Sequence, residues 1–201
     1  MRQWLAALLL LVLMPLQALA AQEAPAQVVE RLNAGMLEIM REAEALGYSG
    51  RLGRFGALLG ETYNLPAMAR AVVGRQWADL SETQRNRLVD AFSRMTQATY
   101  ASRFDGYSGE RFEVLGRGPV VQDLVLVKSR LIKSDGESVA LDYMTKVFAG
   151  EWRIVDVYLD AKYSELARLR AEFGSVLRRH GLDALIAKIE ERIARTIPQG
   201  G

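Results

Sequence analysis

The stretch LVLVKSRLIKSDGESVALDYMTKVFAGEWRIVDVYL, residues 124–159, decides the fold of this chain. Its first two segments, 124–133 and 139–148, are long runs rich in β-branched residues. The tetrapeptide Ser134-Asp135-Gly136-Glu137 joins them, and Asp-Gly between two such runs is a strong signal for a β-hairpin. The stretch therefore predicts two long antiparallel strands.

Two more strands flank this hairpin. Ala149-Gly150 predicts a second tight turn, which leads into a strand that begins at Trp152. On the other side, the run 112–115 predicts a short strand that Gly116 closes. The pattern as a whole predicts about four consecutive antiparallel strands.

Helices are predicted on both sides of these strands. Apolar residues at helical spacing predict a helix over 24–46 and a short second helix over 51–59. Asn64-Leu65-Pro66 is typical of an N-cap and first turn, and this helix is expected to stop at Gly74. Ser81 to Gln84 fits the S-x-x-Q capping box at the start of a further helix.

The helix that follows the capping box has one face made of Leu88, Phe92, Met95, Thr99 and Arg103. Two more helices are predicted after the last strand. Helices gathered before and after a run of strands indicate an α+β fold, in which the helices pack on one face of a curved antiparallel sheet.

The N-terminus predicts secretion. Arg2 is followed by an unbroken apolar run over 4–13 and by Ala18-Leu19-Ala20, a small-x-small cleavage pattern. The apolar run is shorter than the roughly 20 residues that cross a bilayer. We expect residues 1–20 to be a signal peptide and the mature protein to be periplasmic.

The mature chain is expected to form one domain over 21–197, with a flexible tail at 198–201. The 201 residues include no cysteine, which excludes a disulfide scaffold and a thiol nucleophile. The formal net charge is +2, and charged residues of both signs are interspersed. No nucleic-acid partner is therefore expected.

Few residues offer catalytic chemistry. His180 is the single histidine, and its place before Gly181 is typical of a helix C-terminus, where a cation favours the helix dipole. Asp142 and Asp156 could be paired catalytic carboxylates on neighbouring strands, although aspartates in a sheet more often accept hydrogen bonds within a polar cluster. We predict no catalytic residue, metal site or cofactor.

Several segments together resemble one family. Tyr63 to Trp77 reads YNLPAMARAVVGRQW, and the strand at 152–157 reads WRIVDV. With the capping-box helix between them and the helices over 173–185, this order is similar to the MlaC family of periplasmic lipid carriers, also called toluene-tolerance proteins. Matching positions span roughly residues 60–192.

The resemblance implies a monomeric carrier that is not an enzyme. The resemblance also implies that the sheet and the helices enclose an apolar cavity. The carrier would hold phospholipid tails in this cavity and exchange lipid with an inner-membrane ABC transporter and an outer-membrane lipoprotein complex. The segment 106–114 also resembles the hopanoid-associated HpnM branch, which leaves a hopanoid or other terpenoid lipid as an alternative. In the turn 160–163 this chain departs from the family, since Lys162 and Tyr163 stand where the cavity rim is expected.

The candidate lipid-binding residues are apolar positions of the sheet and of the helices that face it. They are Met68, Val72, Phe92, Met95, Val125, Val127, Leu141, Tyr143, Ile154, Tyr158 and Phe173. A competing interpretation is a small-ligand binding domain or enzyme on a cone-shaped scaffold like that of nuclear transport factor. A polar pocket with a strongly shifted carboxylate would favour that alternative.

Overall fold

The computed structural model describes residues 24–198. The predicted signal peptide and the last three residues of the predicted tail lie outside these residues. The described elements are the helices α1 (Pro25–Arg41), α2 (Ala43–Thr62), α3 (Leu65–Val73), α4 (Glu82–Arg103) and α5 (Glu165–Ala194), the 3-10 helix Gly74–Asp79, and the strands β1 (Arg111–Val121), β2 (Leu124–Ile132), β3 (Ser138–Phe148), β4 (Glu151–Leu159) and β5 (Tyr163–Ser164).

The strands form one antiparallel sheet in the order β1-β2-β3-β4-β5. The predicted hairpin is present, because β2 pairs with β3 and Gly136 has a φ of 88° in the turn between them. The α+β fold with an open antiparallel sheet is confirmed. The short strand β5 adds a fifth member to the four that the sequence predicts.

The first strand is longer than predicted. Gly116 does not close it, since β1 continues to Val121. The pairing of β1 with β2 shifts in register between Val114 and Gly116, which marks a β-bulge. A glycine with a φ of 120° accommodates this bulge within the strand.

The helix boundaries differ from prediction mainly near the start of the chain. The predicted helix over 24–46 ends at Arg41, and α2 begins at Ala43 rather than at residue 51. Gly47 interrupts α2 with a φ of 57°. A glycine can adopt this conformation without steric cost, which permits the bend. The periodic pattern of apolar residues gives no sign of it.

Both predicted N-terminal caps are present. The Asn64 side-chain oxygen accepts the N–H of Ala67 at 2.9 Å. The Ser81 Oγ accepts the N–H of Gln84 at 3.3 Å, and the Ser81 N–H donates to the Gln84 side chain at 2.8 Å. These reciprocal bonds form the capping box that the sequence predicts for α4.

Helix α5 folds back on itself at Gly181, which has a φ of 82° and a ψ of −179°. A straight helix of 30 residues would be about 45 Å long. Instead, Lys188 and Arg192 approach Glu172 at 3.3 and 3.4 Å. The two arms of α5 therefore lie side by side, and the exposed His180 is at the bend.

The core lies between the helices and one face of the sheet, and its largest fully buried side chains include Tyr143, Phe55, Phe92 and Phe173. Asn33 of α1 donates to the Ser129 Oγ of β2 at 3.3 Å, which ties the first helix to the sheet. Within residues 24–198, no helix combines the length and the apolar character needed to cross a membrane.

Candidate functional site

A mainly apolar cavity of about 90 Å³ lies between the helices and strands β3 and β4. Helices α3, α4 and α5 supply one side of its wall, and the two strands supply the other. Its lining consists of Tyr63, Met68, Phe92, Met95, Thr96, Thr99, Tyr100, Arg103, Phe104, Leu141, Tyr143, Val157, Leu159, Glu165, Leu169 and Arg192.

The strand alternation determines which residues of the sheet reach the cavity. Leu141 of β3 pairs with Leu159 of β4, and Tyr143 pairs with Val157. Directly paired residues project from the same face of a sheet, so these four side chains form one continuous patch. This patch is the floor of the cavity.

Aromatic side chains form the inner wall. The hydroxyl groups of Tyr63 and Tyr100 are 2.5 Å apart and hydrogen-bonded, and the two rings meet edge to face. Burial raises the pKa of Tyr100 to about 12 and raises the pKa values of Tyr63 and Tyr143 well above 10.0. All three phenols are therefore neutral at physiological pH, and the inner wall carries no charge.

The charged groups of the lining are Arg103, Glu165 and Arg192. They come from the end of α4 and the two ends of α5, which the bend at Gly181 brings together. Burial by itself would raise the pKa of Glu165. The hydrogen bonds from Arg168 and the charges of Arg168, Arg103 and Arg192 outweigh this effect and lower it, so the Glu165 carboxylate is ionised at neutral pH.

The two candidate carboxylates of the sheet have separate structural roles. Asp142 accepts the N–H of Ser129 at 3.1 Å. Asp156 accepts the hydroxyl of Ser164 at 2.5 Å and the N–H of Leu166 at 2.9 Å, which caps the start of α5. Neither carboxylate lines the cavity.

Asp156 is the aspartate with a raised pKa, and burial is the cause. Asp156 lies outside the cavity wall, and Glu165, the carboxylate in the wall, has a lowered pKa. The cavity therefore differs from the polar pocket with a raised carboxylate pKa that would favour a small-ligand binding domain or enzyme. Within residues 24–198, no three side chains of the histidine, cysteine, aspartate or glutamate type come together in a way that could hold a metal ion.

The structure brings five of the eleven candidate lipid-binding residues together in the cavity wall: Met68, Phe92, Met95, Leu141 and Tyr143. Five others are buried in the core away from the cavity: Val72, Val125, Val127, Ile154 and Phe173. Tyr158 lies between Val157 and Leu159, which both line the cavity. Because successive strand residues point to opposite faces, its side chain is on the other side of the sheet.

Sequence reasoning missed eleven residues of the wall. Thr99 and Arg103 share the helical face that includes Phe92 and Met95. Helical spacing therefore could have identified them, but the candidates were restricted to apolar residues. Arg192 has no such signal, since its position depends on the fold-back of α5. Lys162 and Tyr163, expected at the rim, are exposed and lie outside the wall.

The sequence is similar to that of known proteins over most of its length. The family model described as MlaC protein matches residues 30–191. The intermembrane phospholipid transport system binding protein MlaC of Haemophilus influenzae is 22% identical over 138 residues, which cover 67% of this chain and 64% of that protein. The chain thus spans slightly less than two thirds of this relative's length.

The fold is shared with a solved structure. The phospholipid-binding protein of Ralstonia solanacearum, determined in complex with a phospholipid, superimposes with a TM-score of 0.73. The two sequences are 20% identical, and the match covers 87% of this chain and 99% of the other.

Proposed function

This chain belongs to the MlaC family, and from that membership we propose that it is a periplasmic carrier that holds phospholipid tails in the cavity between its helices and sheet. By analogy with the family, it would shuttle lipid between the outer and inner membranes. Its proposed partners are an inner-membrane ABC transporter and an outer-membrane lipoprotein complex.

The observation that carries this proposal is the cavity. Each methylene exposed to water costs about 0.8 kcal/mol, so a lipid with ~30 methylenes is confined to its membrane by roughly 20–25 kcal/mol. A carrier has to replace the apolar surroundings of those tails. The patch formed by Leu141, Tyr143, Val157 and Leu159 offers such surroundings, and the phenols of Tyr63 and Tyr100 beside it are uncharged.

The size of the cavity adds a condition to the proposal. A cavity of about 90 Å³ has room for a few water molecules, since each needs at least about 10–15 Å³. Two full acyl chains exceed the space between the walls. We therefore also propose that the helices and the sheet move apart when lipid enters.

The test compares a cavity residue with a core residue. A glutamate in place of Leu141 would put a charge against the lipid tails, and the cavity gives that charge access to water. We expect Leu141→Glu to stay folded and to lose bound phospholipid. Ile154 is fully buried outside the wall, so Ile154→Glu should instead destabilise the protein by several kcal/mol.

The measurement is native mass spectrometry of protein purified from bacterial periplasm, with thermal melting of each variant. Wild-type protein should carry a mass that fragments to a phospholipid. A hopanoid or other terpenoid lipid would be recognised by its mass and would replace phospholipid as the cargo. A folded Leu141→Glu variant with full lipid occupancy would contradict the proposed site.

A further inference from the structure

The exposed Arg103 and the partly exposed Glu165 and Arg192 line the cavity where it meets solvent. This end of the cavity, its opening, has an excess of positive charge. Glu165 accepts two hydrogen bonds from Arg168, at 2.8 and 2.6 Å. Glu172 is shared by three cations, with Arg168 and Lys188 at 3.3 Å and Arg192 at 3.4 Å. These two carboxylates are therefore already engaged by the cations of α5 itself.

Arg103 adds a further cation from α4. It lines the cavity, and among residues 24–198 its side chain makes no hydrogen bond or ion pair. Its charge acts on Glu165 and on Arg192. This cluster of described residues contains four cations, Arg103, Arg168, Lys188 and Arg192, and two carboxylates, so its net charge is 4 − 2 = +2.

Arg192 is the cation of this cluster whose charged form its surroundings disfavour. Burial lowers its pKa, and the neighbouring charge of Arg168 lowers it further. Its side chain is only 24% exposed, so water compensates little for this repulsion. An anion placed between Arg103 and Arg192 would relieve it.

We propose that Arg103 and Arg192 bind the phosphate of an anionic phospholipid at the opening of the cavity. The inference rests on the proposed function, because tails inside the cavity place the headgroup phosphate at its opening. The planar guanidinium group matches phosphate oxygens in a bidentate geometry, and such charge-assisted hydrogen bonds are the strong ones. A zwitterionic headgroup would bring its ammonium group into the same positive field, and diacylglycerol lacks the phosphate altogether.

The experiment loads purified protein from vesicles that contain equal amounts of phosphatidylglycerol, phosphatidylethanolamine and diacylglycerol. Native mass spectrometry then gives the ratio of bound lipids. Wild-type protein should be enriched in phosphatidylglycerol, and Arg103→Gln should lower the ratio of phosphatidylglycerol to diacylglycerol by about tenfold. Arg192→Gln should change the ratio in the same direction.

Arg179→Gln is the matched control. Arg179 is exposed on the same arm of α5 as Glu165, and it lies 14 positions further along the chain, which corresponds to about 21 Å of helix. Its replacement should leave the lipid ratio unchanged. Thermal melting establishes that Arg103→Gln is folded, as expected for an exposed side chain outside any ion pair of the described residues.

The outcomes separate this inference from the proposed function. Wild-type protein that binds all three lipids in equal amounts would overturn the phosphate site and leave the carrier function intact. Wild-type protein that binds none of them would overturn both. A parallel titration with inorganic phosphate distinguishes the source of the anion, since phosphate binding that depends on Arg103 while lipid ratios do not would assign the pair to free phosphate and overturn the headgroup site.

Discussion

At the scale of single residues, Ala161 occupies a conformation that suits glycine better. Asp160 and Ala161 have φ values of 51° and 55°, and the N–H of Lys162 donates to the carbonyl of Leu159 at 3.1 Å. This is the geometry of a type I′ turn, for which Asp-Gly is strongly preferred. Residues 160–163 do not line the cavity, so the unusual composition of this turn affects the backbone rather than the cavity.

Ala161→Gly should therefore raise the free energy of unfolding by up to about 1 kcal/mol, because alanine in the left-handed region costs roughly 1–2 kcal/mol and glycine loses some of that gain to chain entropy. Ala140→Gly, within β3, should lower it by about 0.5–1 kcal/mol. Urea unfolding checks both values. A loss of stability in Ala161→Gly would show that this turn is not strained.

Asp156 should affect how the stability of the protein depends on pH. Burial raises its pKa above the ordinary value of 3.8, so the folded protein holds this proton more tightly than the unfolded chain does. The resulting stabilisation is complete below about pH 3.8 and is lost as the pH rises through the folded-state pKa. Relative to Asp156→Asn, wild-type stability should decrease as the pH rises above about 3.8.

Glu190 provides the opposite case for the same measurement. Hydrogen bonds from Arg94 lower its pKa, so its stabilisation is present above its ordinary pKa of 4.5 and is lost as the pH falls. Relative to Glu190→Gln, wild-type stability should increase with pH. Urea unfolding at several pH values gives both slopes, and a rising slope for Asp156 would mean that its carboxylate is not destabilised by burial.

At the scale of elements, the bend in α5 depends on Gly181. A φ of 82° with a ψ of −179° is a region that only glycine adopts without strain, and the position that a Cβ would occupy is in open space. Gly181→Ala should therefore destabilise the protein by about 1–3 kcal/mol through the backbone alone. Differential scanning calorimetry would measure this loss.

Gly60 offers the control within a regular helix. It lies in α2, and the position that its Cβ would occupy is also in open space. Gly60→Ala should stabilise the protein by about 0.5–1 kcal/mol, since alanine is the better helix former. Equal effects of the two substitutions would contradict the special role of the bend.

Short sequence motifs correctly predicted the elements that depend on a turn or on an N-terminal cap. The Asp-Gly turn predicted the β2–β3 hairpin, and the side chains of Asn64 and Ser81 predicted the starts of α3 and α4. Gly116 was misleading, because a glycine with positive φ serves equally at a strand end or at a bulge inside the strand. The choice between them depends on pairing with β2, which no short segment encodes.

At the scale of the whole molecule, the cavity joins residues that are far apart in sequence, from Tyr63 to Arg192. Hydrophobic periodicity identified apolar positions such as Met95 and Tyr143, but it does not separate a cavity wall from packed core. Ile154 and Val127 show this, since both are fully buried away from the cavity. Only the strand register and the fold-back of α5 establish which side chains share the wall.

The central claim, that lipid tails occupy this cavity, is tested most directly by photocrosslinking with a phospholipid that carries a diazirine in its acyl chain. We predict crosslinks on peptides that contain Phe92 and Met95 of α4 and Leu141 and Tyr143 of β3. The exposed apolar residues Val120 and Val121, at the β1–β2 turn, are the natural alternative contact. Crosslinks confined to Val120 and Val121, with none in the cavity wall, would contradict the claim.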